Sequence, residues 1–151
     1  MHALESYQDR IVREALAVLR AQLGDGAQKT RNVLIEAPTG AGKSGMLSLI
    51  VAALAGDLGC RGLILEDSQQ VYRQMAGLTA DGKPDESEVA KWLGFRPGAI
   101  GDASHRGGRD ILNDQEPRVV VGMVDTIRGW IETVDGASLM KDDYFVIGID
   151  E

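Results

Sequence analysis

Residues 37–44 read Ala-Pro-Thr-Gly-Ala-Gly-Lys-Ser, and this stretch decides the fold. The apolar segment at 32–36 that precedes it has the length and composition of a short buried strand. The longer apolar segment at 43–58 that follows it is predicted to be a helix. A glycine-containing turn from a buried strand into a helix is the context in which backbone N–H groups bind phosphate. We therefore predict a phosphate loop, and use that name for residues 37–44.

The residue types in the phosphate loop suit the binding of a nucleotide together with a metal ion. Gly40 and Gly42 permit a tight turn in which successive N–H groups point at phosphate oxygens. The helix that begins at Lys43 adds the positive end of its dipole. The Lys43 ammonium can reach the β- and γ-phosphates, and the Ser44 hydroxyl can bind Mg²⁺. An ordinary glycine-rich turn is the alternative. The predicted nucleotide contacts are Thr39, Gly40, Ala41, Gly42, Lys43 and Ser44.

A pair of acids ends the chain, directly after a second apolar segment at 144–149 that is predicted to be a buried strand. In open α/β sheets, ligands bind at the carboxyl ends of the strands. We predict that Asp150 holds Mg²⁺ through its water shell and that Glu151 polarises the water that attacks the γ-phosphate. With Lys43, these two acids are the predicted catalytic residues. A solvated acidic turn is the alternative.

Helical and strand periodicities alternate along the rest of the chain. This alternation predicts an α/β fold with right-handed β-α-β units, a mostly parallel sheet and helices on both faces. A single domain over residues 1–151 is expected, because a chain of 151 residues suits one core. The predicted helices are 4–23, 43–58, 68–78, 87–93 and 125–134, and the predicted strands are 32–36, 62–66, 99–100, 118–123 and 144–149.

Composition narrows the class of protein. A net charge of −7 argues against nonspecific coating of nucleic acid, although a narrow binding track on one face stays possible. Cys60 is the single cysteine, so no disulfide can form within the chain and a reducing cytoplasm is expected. The N-terminal residues carry acids and no long apolar core, which argues against a signal peptide. No apolar run reaches the roughly 20 residues that a membrane span needs.

The phosphate loop and the acid pair together resemble those of superfamily-two helicases, the DEAD/DEAH-box class. The general loop pattern has glycine where this chain has Ala37, whereas the helicase loop reads Ala-x-Thr-Gly-x-Gly-Lys-Thr/Ser. The resemblance extends over essentially the whole chain. It implies a RecA-like P-loop NTPase domain, with ATP and Mg²⁺ as cofactors and DNA or RNA as partner. It also implies that Gln8, which follows Tyr7, reads the adenine edge through its amide. An exposed helix glutamine is the alternative.

Three segments between the two strong motifs stand where this family contacts the nucleic-acid backbone. Ser68 follows a predicted strand where the family has a Pro-Thr-Arg-like turn, with Asp67 and Gln69 in place of its proline and basic residue. Thr126 follows another predicted strand, although Met123 stands where many members have threonine. A loop with two glycines and flanking arginines lies between them. Helix caps and a solvated surface loop are the alternatives. The implied nucleic-acid contacts are Ser68, Arg106, Gly107, Gly108 and Thr126.

ATP hydrolysis coupled to translocation on nucleic acid, or to its opening, is the function that the resemblance implies. The chain is then expected to be truncated at its acid pair and inactive alone, with a second RecA-like domain of the same protein missing. A sheet incomplete at the C-terminus is also expected, with a gap or a non-native pairing between segments 32–36 and 144–149. Three alternatives stay open: a P-loop kinase, another non-helicase P-loop ATPase, and a nucleotide-binding module without turnover.

Overall fold

The computed structural model describes residues 3–24, 32–101, 118–132 and 144–150. Within these ranges the chain forms five helices and four strands. The helices are α1 (Ser6–Gly24), α2 (Lys43–Leu58), α3 (Gln69–Ala76), α4 (Glu88–Leu93) and α5 (Val124–Ile131). The strands are β1 (Arg61–Glu66), β2 (Gly98–Ile100), β3 (Val119–Met123) and β4 (Tyr144–Ile149).

The four strands form one sheet in the order β2-β3-β1-β4, and each neighbouring pair is parallel. In the centre of the sheet, Ile64 of β1 lies opposite Val121 of β3 and Gly148 of β4. Because the strands are parallel, their carboxyl ends share one edge of the sheet, and the segments that follow β1, β3 and β4 meet there. The predicted α/β fold with a mostly parallel sheet is confirmed.

Helices cover both faces of the sheet, as the sequence predicts. A Cβ atom added at Gly62 of β1 or at Gly148 of β4 would collide with Val51, so this face packs closely on α2. Successive side chains of a strand point to opposite faces. On the other face Leu63 of β1 packs with Ile127 of α5. With both faces covered, the central strands β1 and β3 have apolar interiors, and nearly all of their residues are buried.

The segment at 32–36 corrects the prediction of a strand. It lies outside the sheet, and Val33 and Leu34 are 37% and 82% exposed. A strand is held by hydrogen bonds to a neighbouring strand, and an apolar composition supplies none of them. Within the described ranges β4 is paired only with β1, and segment 32–36 forms no ladder with the other edge of β4. This arrangement agrees with the gap that the sequence analysis expects between segments 32–36 and 144–149.

Capping residues fix the limits of two helices. Ser68 precedes α3, and its Oγ accepts a hydrogen bond from the N–H of Val71 at 3.4 Å. Gly77 ends the same helix with φ of 80°, a left-handed conformation that favours glycine. Ser87 precedes α4, and its Oγ accepts from the N–H of Ala90 at 3.1 Å. Ser68 is therefore a helix cap, the alternative raised for it, and Ser87 caps α4 in the same way.

A cap at Asp125 or Thr126, the alternative raised for these residues, is wrong. Helix α5 begins at Val124, directly after Met123 of β3, so both residues lie inside its first turn. The strand runs straight into the helix and leaves no loop residue to act as a cap. Asp125 instead forms an exposed ion pair with Arg128 at 3.0 Å.

Two smaller expectations can be compared with the described residues. Cys60 is half-buried and packs against the main core, which agrees with a packing role for the thiol. Among the helices of the described ranges, none combines the length and the apolar character needed to cross a membrane.

Candidate nucleotide site

The phosphate loop turns sharply into α2 through two glycines with positive φ. Gly40 has φ of 82°, and Gly42, the residue before α2, has φ of 79°. The N–H of Ala41 donates to the carbonyl of Pro38 at 3.1 Å and closes the turn. Lys43 is the first residue of α2, so its backbone lies among the free N–H groups of the helix N-terminus. Two glycines with positive φ and the N-terminus of α2 are the features on which the predicted phosphate binding depends.

Helix α1 holds the phosphate loop from one side through two residues. The Gln8 Nε2 donates to the carbonyl oxygen of Ala41 at 2.8 Å, and the Tyr7 hydroxyl donates to the same oxygen at 3.1 Å. The Gln8 Oε1 accepts from the N–H of Glu5 at 2.9 Å, and Gln8 is 5% exposed. Gln8 is therefore not the exposed helix residue of the alternative interpretation. Its predicted reading of adenine stays a prediction, for which one amide N–H and one oxygen lone pair are left.

A tryptophan encloses the start of α2 from another side. A Cβ atom added at Gly45 would collide with the indole of Trp92, which lies on α4. A Cβ atom added at Gly42 would collide with the Gln8 amide. The start of α2 thus lies between α1 and α4. Gly42 lies against Gln8 of α1, and Gly45 lies against Trp92 of α4. Sequence analysis missed Trp92, because only the packing of α4 on α2 reveals its position.

Ser44 and Asp150 meet although 106 positions of sequence separate them. The Ser44 Oγ donates to the Asp150 Oδ2 at 2.6 Å, and the Asp150 N–H donates to the carbonyl of Leu65 at 3.3 Å. A hydroxyl and a carboxylate suit Mg²⁺, which usually takes one or two protein ligands together with waters and substrate phosphates. The described ranges hold no group of three or more His, Cys, Asp and Glu that could bind a metal by itself. The donor set therefore fits a metal that arrives with the nucleotide.

Glu66, the last residue of β1, is a buried acid that the sequence analysis did not single out. It is 2% exposed, and its Oε1 has no hydrogen-bond partner among the described residues. Burial, together with the nearby Asp150 and Asp67 carboxylates, raises the pKa of Glu66 from 4.5 to about 8. Glu66 is therefore protonated at neutral pH. The available signal was the one used for Asp150, an acid at the carboxyl end of a buried strand.

The proposed nucleic-acid residues are only partly covered by the described ranges. Ser68 follows β1 and Thr126 follows β3, so both lie at the edge of the sheet that carries Asp150. Ser68 is half-buried and occupied as the cap of α3, and Thr126 is half-buried in α5.

Thr39, a predicted nucleotide contact, lies exposed at the tip of the phosphate loop. The catalytic prediction for Glu151 and the predictions for Arg106, Gly107 and Gly108 fall outside the described residues.

Three features define a RecA-like P-loop domain. The sheet is parallel, a phosphate loop leads into α2, and an aspartate at the end of β4 is hydrogen-bonded to that loop. The chain matches the family described as type III restriction enzyme, res subunit, over residues 1–151, and it belongs to that family. The domain is accordingly a helicase-like motor domain of the superfamily-two kind. Comparison with curated proteins gives no match, and neither does comparison with solved structures.

Proposed function

We propose that this domain binds ATP with Mg²⁺ and hydrolyses it to drive movement on DNA. The observation that carries the proposal is the 2.6 Å hydrogen bond from Ser44 to Asp150. It joins the hydroxyl of the phosphate loop to the acid at the end of β4, the two groups expected to hold one metal ion. If Asp150 lay in a solvated acidic turn, a hydrogen bond to the first turn of α2 would not be expected.

Each residue of the site has a distinct part in this proposal. The N–H groups that follow Gly40 and Gly42 hold the phosphates, and the Lys43 ammonium neutralises the β- and γ-phosphates. Ser44 and Asp150 hold Mg²⁺, which supplies charge neutralisation at the transferring phosphate when it is bound. Glu151 follows Asp150 directly and polarises the attacking water. One acid for the metal and one for the water suit hydrolysis better than transfer to a bound acceptor.

The nucleic-acid partner is proposed from the family and from the position of two segments. Restriction enzymes act on DNA, and the family description therefore favours DNA over RNA. Ser68 caps α3 and Thr126 lies in the first turn of α5, both at the same edge of the sheet, where free N–H groups could hold backbone phosphates. Arg106, Gly107 and Gly108 are proposed as a further contact on the resemblance alone. On the same ground we propose a DEAD/DEAH-like mechanism, a second RecA-like domain that completes the site, and a cytoplasmic location.

ATP turnover by the whole protein tests this proposal. Phosphate release is measured with no nucleic acid, with double-stranded DNA and with RNA of matched length. The proposal expects turnover without any added phosphate acceptor and stimulation by DNA over RNA. Equal rates in all three reactions would reject the coupling to nucleic acid. Turnover only in the presence of a small-molecule acceptor would indicate a kinase, and ATP binding without turnover would indicate a nucleotide-binding module.

A further inference from the structure

Glu66 stands at the carboxyl end of the central strand, beside the proposed metal site. Leu65 of β1 lies opposite Ile149 of β4, and the Asp150 N–H donates to the Leu65 carbonyl at 3.3 Å. Glu66 is the residue that follows Leu65, and Asp150 is the residue that follows Ile149. Neighbouring positions of parallel strands present their side chains to the same face. The two acids are therefore side by side at the edge of the sheet.

That face is the one on which α2 packs. Gly62 of β1 and Gly148 of β4 both face Val51 of α2, and Glu66 and Asp150 share their parity along these two strands. The contact of Asp150 with Ser44 places this face at the first turn of α2. The Asp150 carboxylate contributes to the raised pKa of Glu66, as a neighbouring like charge does. Glu66 thus lies on the same face of the sheet as Asp150, next to the Ser44–Asp150 pair that is expected to hold the metal.

The hydrogen bonding of Glu66 is incomplete without a further group. Its Oε1 is buried and has no partner among the described residues, whereas buried polar atoms are normally satisfied. A hydrated Mg²⁺ keeps several waters that donate hydrogen bonds to surrounding oxygens. A metal between Ser44 and Asp150 would bring such waters towards the edge where Glu66 ends β1. In this arrangement the Glu66 Oε1 would gain its missing hydrogen bond from a metal-bound water when the metal enters.

We propose that Glu66 is a third acid of the magnesium–nucleotide site, a positioning residue that accepts hydrogen bonds from the water shell of the metal held by Ser44 and Asp150. This inference rests on the proposed nucleotide binding and deepens it. Glu66 acts through the metal waters and is not placed in contact with the nucleotide. Its loss is therefore expected to change the requirement for metal while leaving the affinity for nucleotide without metal unchanged.

The test measures ADP binding by calorimetry as a function of free Mg²⁺, starting from EDTA, in wild type, Glu66→Ala and Glu66→Gln. Glu66→Ala is expected to raise the Mg²⁺ concentration at half-maximal effect by about tenfold, as loss of a hydrogen-bond partner to a group that ligates the metal typically does. Glu66→Gln retains an acceptor oxygen and is expected to shift it less. The control is Asp57→Asn, an exposed acid in the last turn of α2, with an expected change under about twofold. Mn²⁺ bound with ADP, followed by electron paramagnetic resonance, gives a second readout on the metal itself.

Each outcome decides the inference. Equal Mg²⁺ requirements in wild type and both Glu66 variants overturn it. So does an equal loss of affinity in EDTA and in Mg²⁺, which would indicate a purely structural role for Glu66. Should Glu66→Ala fail to fold, Glu66→Gln carries the comparison, because it leaves the volume of the side chain unchanged. Absence of ADP binding in the wild type refutes the proposed function and this inference together. ADP binding that Glu66 does not tune refutes the inference alone.

Discussion

Glu66→Gln replaces a buried acid with a neutral side chain of nearly the same shape, so it isolates the effect of Glu66 ionisation on folding. In the folded chain burial and the neighbouring acids raise the pKa of Glu66 from 4.5 to about 8. The folded state therefore keeps a proton that the unfolded state releases between these two pH values. Because the unfolded state binds fewer protons there, the free energy of unfolding falls as pH rises.

The size of this effect follows from the same two pKa values. At 1.36 kcal/mol for each pH unit, the interval from 4.5 to about 8 corresponds to an upper bound of roughly 5 kcal/mol. Relaxation around the charge and entry of water reduce such costs, so we expect a difference of at least about 2 kcal/mol. The destabilisation is absent below the unfolded pKa and complete above the folded pKa. In a domain of ordinary stability, about 5–15 kcal/mol, this is a readily measured fraction.

Urea denaturation in EDTA without nucleotide provides the assay, at about pH 5, 6.5 and 8 for wild type and Glu66→Gln. Other titrating groups are common to both proteins and cancel in the difference. We expect Glu66→Gln to be nearly as stable as wild type at the lowest pH and increasingly more stable as the pH rises. A difference in unfolding free energy that stays constant across this range would refute the reasoning.

Three further predictions follow from the surroundings of the phosphate loop. Gly45→Ala is expected to lower the melting temperature because its methyl group would meet the Trp92 indole, and adding Trp92→Leu should recover much of the loss. The matched control Gly56→Ala, in the same helix with open space around it, should instead stabilise by roughly 0.5–1 kcal/mol. Gln8→Ala is expected to narrow the preference for ATP over GTP in binding titrations, and an unchanged preference would leave Gln8 as a support of the loop alone. In the whole protein, Glu151→Gln should retain ATP binding and lose turnover, because an amide cannot polarise water as a carboxylate does. Rapid phosphate release by that variant would show that another residue is the catalytic base.

Local patterns were sufficient for most of the fold. The apolar stretch of β3, the strand at Tyr144–Ile149 and the serines ahead of α3 and α4 each carry their signal within a few residues. Such signals depend on side-chain periodicity and on local capping, so they can be read without knowledge of neighbours. The phosphate loop belongs to the same category, because its glycines and its helix start are contiguous.

Features that depend on a distant partner were the ones that local patterns could not supply. Segment 32–36 has the composition of a strand, but strand formation requires hydrogen bonds to a neighbour, and this segment is paired with none of the four strands. Trp92 becomes relevant only because α4 packs on α2. Glu66 comes to lie beside Asp150 through the register of β1 with β4. None of these pairings is encoded within a short window of sequence.

The central claim is that the phosphate loop binds ATP, and calorimetry on Lys43→Ala tests it most directly. Lys43 is the first residue of α2, where its ammonium can make a charge-assisted contact with the phosphates. The control is Lys83→Ala, an exposed lysine in the loop between α3 and α4 that carries no role in the site. Our account predicts Mg²⁺-dependent ATP binding in wild type and in Lys83→Ala, with most of the affinity lost in Lys43→Ala. Equal ATP affinity in all three proteins would contradict it.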